Sequence, residues 1–461
     1  MHSSINYLKK TGVIIFGLIV SQHLNTTAQT GNGWTSLINK SSLKGWKQVG
    51  GKATYSVDNG IIVGTSVMDS VNSFLISEKE YGDFVLELDV MIEGTANNSG
   101  IQTRSHYNTP EHPNRVFGRQ VEVDPSDRQW TGGIYDEQRR DWLYPLTLNP
   151  AAKSAFKQNE YNHIKIECIG NETKTWVNNI PTAYVVDTLD SKGFIALQVH
   201  AAYKDDAAGK KVYFKNAQIK TTGLKAEDFP AGVYVVNNVP NNLTKYESSN
   251  GWKLLFDGKT SKGWTSATAD HFPEKGWNTH DGLMEVLSSE GKESANGGDI
   301  VTTDQFKAFD LSFQFKMTPG ANSGVKYFVT LKEKSSASAI GLEYQVLDDD
   351  LHPDAKLGMN GNRTLSSLYD LIPAKKDKRF IHKMGEWNTG RVIVYPNNHV
   401  EHYLNGIKVL EYERGSAEYK DLVSKSKYKV WENFGEAERG HILLQDHGNN
   451  VFYRSIKIKE L

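Results

Sequence analysis

One phrase that could carry proton-transfer chemistry occurs twice in the chain. It reads "GFIALQVH" at residues 193–200 and "GHILLQDH" at residues 440–447. Each version ends with a glutamine and a histidine two positions apart, so in a β-strand both side chains point to the same side. An imidazole transfers protons near neutral pH, and an amide hydrogen-bonds polar ligands. We therefore predict a polar sheet face with acid–base capacity in both regions.

A second pair of strand-like segments, "GRQVEVD" and "GLEYQVLD", alternates in the same way. With Val121, Val123, Tyr344 and Val346 assigned to the core, the polar residues between them fall on the opposite face. The candidates from alternation are Gln120, Glu122, Asp124, Gln198 and His200 in the first copy, Glu343, Gln345, Gln445 and His447 in the second, Asp348 just beyond, and Arg104 in "GIQTRS". An ordinary solvated face of an antiparallel sheet would explain any one of them equally well. The recurrence of amides, carboxylates and imidazole at matching positions favours a functional face.

These phrases belong to a longer duplication. "WTSLINKSSLKGW" aligns with "WKLLFDGKTSKGW", and Asn98-Ser99-Gly100 aligns with Asn322-Ser323-Gly324. Further matched segments follow in the same order up to the closing strands "VYFKNAQIK" and "VFYRSIKIK". Period-two alternation with "PNN" and "LNG" turns predicts antiparallel strands, and helical signal is confined to "NPAAKSAFKQ" and "SAEYKDLVSKSKY". We predict an all-β protein of two tandem β-sandwiches at residues 29–222 and 250–461, joined by a linker at residues 223–249.

The composition places this chain among folded proteins and gives no reason to expect a nucleic-acid partner. Hydrophobic residues make up 38% of the chain, charged residues make up 23%, and the formal net charge is −1. Lys9 and Lys10 precede the apolar run "GVIIFGLIV", and a small-residue site follows, which predicts a signal peptide over residues 1–28. No other stretch is apolar enough to span a membrane. We expect a periplasmic or secreted protein, with Cys168, the only cysteine, as a buried apolar residue.

Other candidate residues carry weaker signals. Glu87 and Asp89 in "ELDVMIE" have no acidic counterpart in "LSFQFKM", so we interpret that segment as an ordinary structural strand. The loop histidines His106, His112 and His352 lack metal-ligand spacing and are poor evidence for a metal site.

The ordered set of quoted motifs resembles the 3-keto-disaccharide hydrolase family, in two tandem copies. The resemblance implies concanavalin A-like jelly rolls whose concave sheet binds glycans. It also implies cleavage of glycosides oxidised to a ketone at C3. A base removes the acidified C2 proton, the C1 oxygen leaves, and water adds to the resulting enone, so no pair of conventional glycosidase carboxylates is needed.

The resemblance also implies roles for the candidate residues. It adds Asp446 to the second groove, makes His447 the base with Glu343 as acid or second base, and makes Arg104 an enolate or hydroxyl clamp. Tyr135 and Tyr369 would form groove walls that stack on sugar. A divalent metal on Glu343, Asp348 and His447 stays open, and an oxidoreductase that supplies the 3-keto sugar is a plausible partner. A tandem carbohydrate-binding protein without catalysis is the alternative, since fold does not decide function.

Overall fold

The computed structural model describes Met1 and residues 33–203, 207–331 and 339–461. The predicted signal peptide therefore lies, except for Met1, outside the described residues. The strands of the first half are β1 (Trp34–Ser36), β2 (Trp46–Gly50), β3 (Thr54–Asp58), β4 (Ile61–Thr65), β5 (Ser73–Tyr81), β6 (Phe84–Ile92), β7 (Ser99–Tyr107), β8 (Val116–Val123), β9 (Ile134–Glu137), β10 (Asp141–Tyr144), β11 (Asn162–Ile169), β12 (Glu172–Val177), β13 (Ile180–Val186), β14 (Gly193–Val199) and β15 (Lys211–Lys220).

A short strand, β16 (Val236–Asn237), precedes the second half. The strands of the second half are β17 (Trp252–Leu254), β18 (Trp264–Ser266), β19 (Trp277–His280), β20 (Leu283–Val286), β21 (Ile300–Thr302), β22 (Phe309–Met317), β23 (Asn322–Leu331), β24 (Ala339–Leu347), β25 (Asn388–Val394), β26 (His399–Leu404), β27 (Ile407–Glu413), β28 (His441–Leu444) and β29 (Val451–Glu460).

Each half is built from two sheets, as the alternation predicts. In the first half a nine-stranded sheet runs β16-β13-β12-β11-β6-β15-β4-β3 with β1 beside β15, and a seven-stranded sheet runs β10-β9-β8-β7-β14-β5-β2. In the second half an eight-stranded sheet runs β19-β20-β29-β22-β25-β26-β27 with β17 beside β29, and a five-stranded sheet runs β18-β21-β28-β23-β24. These are tandem concanavalin A-like jelly-roll sandwiches, so the fold prediction is confirmed.

The cores confirm which residues of the repeated phrases point inward. Ile195, Leu197 and Val199 pack with Val121 and Val123 in the core of the first half, which also holds Cys168. In the second half the equivalent strand contributes Ile442 and Leu444 to the core. Because strand side chains alternate, Gln198 and Gln445 must lie on the opposite face of their sheets.

Helices are short in this fold. They are α1 (Lys245–Ser249) and α2 (Ala417–Lys425), with 3₁₀ turns at Leu146–Leu148, Pro150–Ala155, Pro353–Lys356, Lys378–Phe380 and Lys427–Val430. Both predicted helical pieces are present, the first as a 3₁₀ turn and the second as α2. None of the helices in the described ranges is long and apolar enough to cross a bilayer.

The segment predicted as a linker packs against both halves. Tyr234 is buried, and its hydroxyl lies 3.0 Å from Ser312 Oγ in β22. A capping box between Thr244 and Glu247 starts α1, which removes two unsatisfied backbone donors. The Glu247 carboxylate also pairs with the buried ammonium of Lys457 in β29. These contacts tie the segment to the second sandwich.

Candidate active site

Two pockets lie on the outward faces of the seven-stranded and five-stranded sheets. The first-half pocket has a volume of about 390 Å³, and its lining includes Gln120, Glu122, Gln198, His200, Tyr135 and Trp142. The second-half pocket has a volume of about 400 Å³, and its lining includes Lys326, Glu343, Gln345, Tyr369, Gln445 and His447. Volumes of this size suit a sugar or another small polar molecule.

Glycines in the repeated Asn-Ser-Gly motif make room for pocket side chains from the neighbouring strand. A Cβ on Gly100 would come within 2.5 Å of Gln120 Cγ, and a Cβ on Gly324 would come within 2.9 Å of Glu343 Cδ. Gln120 and Glu343 occupy equivalent positions, because β7 pairs with β8 as β23 pairs with β24. In both halves, therefore, the side chain from the neighbouring strand lies directly over a glycine.

Glu122 is a buried carboxyl group of the first-half pocket. Its Oε1 accepts a hydrogen bond from Asn98 Nδ2 at 2.8 Å, and its Oε2 accepts one from Gln120 Nε2 at 3.0 Å. Burial raises the pKa of this carboxyl to about 7, because the two amide bonds and the nearby Arg128 only partly offset desolvation. At neutral pH Glu122 can therefore either give or take a proton.

His200 lies in the same pocket with one ring nitrogen already committed. Its Nδ1 lies 2.9 Å from the carbonyl oxygen of Ala201, so Nδ1–H donates and Nε2 keeps its lone pair. Burial, together with the nearby Arg128 guanidinium, lowers the pKa of this imidazole. His200 therefore stays neutral near pH 7 and can act as a base.

The second-half pocket contains a lysine that the first lacks. Lys326 lies directly opposite Glu343 in the β23–β24 pairing, and its Nζ is 3.7 Å from Asp299 Oδ2. Burial alone would lower the pKa of Lys326, but the carboxylates of Asp299, Glu343 and Glu293 outweigh it and raise the pKa. Burial raises the pKa of Glu343 and of Asp299. The pocket thus holds a charged lysine beside carboxyl groups whose pKa values burial raises.

His447 is held differently from His200. Its Nε2 is 4.0 Å from Glu293 Oε2, and its ring meets that of His352 edge-on with centroids 5.7 Å apart. Its Nδ1 is buried and has no hydrogen-bond partner within the described residues. Burying a polar atom without a hydrogen-bond partner costs free energy, and a bound ligand that pairs with the atom would recover it.

Unpaired amide oxygens in the pockets point to the same conclusion. Both amide atoms of Gln198 in the first-half pocket are buried without a hydrogen-bond partner in the described ranges. In the second-half pocket the same holds for Asn322 Oδ1, Gln345 Oε1 and Gln445 Oε1. Ligand hydroxyls would satisfy these atoms, so both pockets are suited to a sugar.

The structure brings most of the predicted candidates together but moves Arg104 elsewhere. The expected alternation breaks at a bulge in β7, where Arg104 has a φ of 48°. Its guanidinium turns away from the pocket and bonds the carbonyls of Gly82 and Gly170 and the carboxylate of Asp83. Arg104 is therefore a structural residue here, which corrects the expected clamp.

Three predicted aspartates do not line the pockets either. Asp124 accepts from Ser126 and pairs with Arg128 at 2.7 Å. Asp348 accepts from backbone N–H groups at residues 320, 350 and 351, and Asp446 accepts from those at residues 297, 298 and 448. These short side chains cap turns beside the pockets, which alternation alone could not distinguish from pocket lining.

The two predicted aromatic walls do line the pockets. The Tyr135 hydroxyl donates to Asp141 Oδ1 at 2.7 Å, and its ring meets Trp142 edge-on. The Tyr369 hydroxyl donates to Asp354 Oδ2 at 2.8 Å, and its ring lies 4.2 Å below Lys427 Nζ. The sequence analysis did not select Trp142, because it lies on β10, beyond the alternating segments that gave the other candidates.

A metal on Glu343, Asp348 and His447 has no support in the geometry, because Asp348 lines a different cavity from the other two. Within the described ranges, the group of His, Cys, Asp or Glu side chains close enough to hold an ion is His399, Glu401 and Glu411 on β26 and β27. Lys408 already pairs with both of these glutamates.

Sequence reasoning also missed Lys326 and Asp299, although the "NSGVK" register places Lys326 on the polar face.

Sandwich pockets that combine unpaired amides with a carboxyl group and an imidazole are suited to a carbohydrate-active protein. The family model for the 3-keto-alpha-glucoside-1,2-lyase-like domain matches residues 33–220 and 251–459, and the chain belongs to this family. A protein of Bacteroides thetaiotaomicron named 3-keto-disaccharide hydrolase is 38% identical over 234 residues, which cover 46% of this chain and 79% of that relative. The chain is accordingly a hydrolase of glycosidic bonds.

Two crystal structures from Parabacteroides distasonis are also similar, both of proteins assigned provisionally as glycosyl hydrolases. One is 30% identical, covers 48% of this chain and 99% of its own, and has a TM-score of 0.43. The other is 27% identical, covers 46% of this chain and 100% of its own, and has a TM-score of 0.35.

Proposed function

We propose that this protein cleaves 3-keto-glycosides by removing the C2 proton and expelling the C1 substituent. The base takes the C2 proton, the C1–O bond breaks with its electrons on the leaving oxygen, and an acid protonates that oxygen. A C1=C2 double bond conjugated to the C3 ketone results. Water then adds its oxygen to C1 and a proton to C2, so the net reaction is hydrolysis.

The observation that carries this proposal is the pairing, in each pocket, of an imidazole with a carboxyl group whose pKa burial raises. In the second-half pocket His447 acts as base through its free Nδ1, and Glu343 acts as the acid. In the first-half pocket His200 Nε2 and Glu122 are suited to the same roles. Family membership supports this chemistry over conventional glycoside hydrolysis.

A direct test follows release of the aglycone from a 3-keto-glucoside and from its unoxidised parent in D₂O. We expect release from the keto compound alone, with deuterium incorporated at C2. The variants H447A and H200A, made singly and together, assign the activity to a pocket. Release from the unoxidised parent at a similar rate would contradict elimination through the ketone.

The non-catalytic alternative rests on a specific observation in the first half. Both amide atoms of Gln198 are unpaired beside Tyr135 and Trp142, an arrangement suited to holding a sugar without reacting with it. Calorimetric binding of the keto sugar and its parent with equal affinity, and no release from either, would favour a tandem carbohydrate-binding protein.

The supply of substrate and the location of the protein are parts of the same proposal. A 3-keto-glycoside must come from an enzyme that oxidises a C3 hydroxyl, so we expect a partner oxidoreductase.

Lys9 and Lys10 before the apolar run support export to the periplasm or beyond. N-terminal sequencing of the protein from a cell fraction tests this, and cleavage after Ala28 is the expected result.

A further inference from the structure

The side chain of Lys326 lies at the floor of the second-half pocket, beside the proposed acid. Its neighbours across the sheet are Glu343 on β24 and Leu443 on β28. Side chains directly opposite each other in a sheet share a face, so Lys326 and Glu343 point together into the pocket. The Lys326 side chain is 14% exposed and lines the pocket.

Lys326 is only loosely held by its carboxylate partner. Its Nζ is 3.7 Å from Asp299 Oδ2, longer than the about 2.7–2.9 Å of a charge-assisted hydrogen bond. An ammonium has three N–H donors, so donors remain for a ligand oxygen. The positive charge is present, but its hydrogen-bonding capacity is not used up by the protein.

The equivalent position in the first half is Gln102, whose amide is fully engaged. Gln102 Nε2 donates to Gln120 Oε1 at 2.8 Å, and Gln102 Oε1 accepts from Ser105 Oγ at 2.6 Å. The register of β7 on β14 and of β23 on β28 confirms that these positions match. The two halves therefore differ at this point by one available cation.

The unpaired atoms around Lys326 are acceptors. Asn322 Oδ1, Gln345 Oε1 and Gln445 Oε1 can receive hydrogen bonds from sugar hydroxyls, but none can stabilise a negatively charged oxygen. The other lysine, Lys427, lies over the ring of Tyr369 in an exposed position at the rim. Lys326, directly opposite Glu343 on the sheet, is thus a cationic donor that a developing oxyanion in the pocket could use.

We propose that Lys326 binds the C3 oxygen of a 3-keto sugar and stabilises the enolate formed when the C2 proton is removed. The proposal rests on the proposed function and assigns the elimination step to the second half. As the base takes the C2 proton, the electron pair moves through C2–C3 onto the C3 oxygen, which Lys326 hydrogen-bonds. The pair then returns to expel the C1 oxygen. No covalent bond forms between Lys326 and the sugar.

The surrounding carboxylates make a covalent role for Lys326 unfavourable. A lysine that forms an imine with a ketone must first lose its proton, and sites that use one depress its pKa. Here nearby carboxylates, that of Asp299 foremost, raise the pKa of Lys326 against the effect of burial. The residue is suited to electrostatic stabilisation rather than to nucleophilic attack.

The test uses the full-length protein with the substitution K326Q, which copies the glutamine found in the first half. With a 3-keto-glucoside we expect kcat to fall by about 10²- to 10³-fold, as for loss of one oxyanion donor, with KM little changed. K326R should recover part of kcat because it restores a cation. K307Q, at an exposed lysine outside the pocket that pairs with the exposed Glu438, is the control and should leave kcat for aglycone release within twofold of the wild type.

A second readout separates this role from a structural one. Exchange of the C2 proton for deuterium in a 3-keto sugar without a leaving group requires base and enolate stabilisation only. K326Q should slow this exchange as much as it slows release, and sodium borohydride should trap no adduct on the protein. Unchanged exchange in K326Q, or a trapped adduct at Lys326, would overturn the inference while the proposed function stands. A wild-type protein inactive on the keto sugar would instead refute the proposed function and the inference with it.

Discussion

The substitution E122Q tests whether the first-half pocket holds a carboxyl group that folding forces toward its protonated form. Glu122 is buried, and its carboxyl group accepts amide hydrogen bonds from Asn98 at 2.8 Å and from Gln120 at 3.0 Å. Burial raises its pKa from an ordinary value of 4.5 to about 7. Glutamine keeps the shape and cannot ionise, so it removes the titration alone.

The sign and the size of the effect follow from linkage. Because the folded-state pKa is raised, the stability that Glu122 contributes is fully present below pH 4.5 and is lost as the pH rises through about 7. A difference of one pKa unit corresponds to about 1.4 kcal/mol, so the loss amounts to about 3 kcal/mol. Relative to the wild type, E122Q should therefore gain about 3 kcal/mol between pH 4.5 and pH 8. Mismatched amide donors add a constant penalty that does not depend on pH.

Differential scanning calorimetry across this pH range measures the effect, since it can resolve separate transitions of the two halves. For a domain of this size, about 3 kcal/mol corresponds to roughly 6–12 °C in Tm. The control is I101V in the core below the pocket, which should lower Tm by a similar amount at every pH. A Tm difference between E122Q and the wild type that does not change with pH would refute a raised pKa at Glu122.

Three further predictions concern other parts of the molecule. G324A should reduce activity at least tenfold with the fold retained, because its Cβ would displace the Glu343 carboxyl; kinetics and circular dichroism of the variant measure both. K457M should cost about 3–5 kcal/mol in urea unfolding, because it leaves the Glu247 carboxylate buried without its partner, whereas the double variant K457M/E247Q, which removes the charge and keeps an oxygen for the α1 cap, should recover part of the loss. T244A should cost about 1 kcal/mol in the same assay through loss of the α1 cap, and no change in unfolding free energy would argue against the capping box.

The architecture was largely readable from alternation and duplication. Period-two patterning assigned Ile195, Leu197 and Val199 to the core, and the core contains them. This works because one buried face imposes its register on every residue of a strand. The same logic placed Gln120, Glu122, Gln198 and His200 on the shared face where the first-half pocket lies.

Alternation failed where the backbone departs from regular strand geometry. At Arg104 a positive φ within a bulge reverses the direction of the side chain. At Asp348 and Asp446 the strand has ended, and the short carboxylates bond nearby backbone N–H groups instead of facing the pocket. A bulge depends on how many residues the partner strand supplies, so a single strand sequence does not reveal it.

The amino-acid sequence by itself determined the duplication, the sandwich class and the face on which each polar residue of a regular strand lies, because these follow from local periodicity. Only the tertiary structure decided which polar groups meet. Asp299 reaches Lys326 from the residue before β21, which β28 separates from β23, and Trp142 joins the pocket from β10 at the edge of the sheet. Strand pairing over long sequence distances brings the pocket groups together. The burial of the carboxyl, imidazole and ammonium groups then shifts their pKa values, and these decide the chemistry that each pocket can perform.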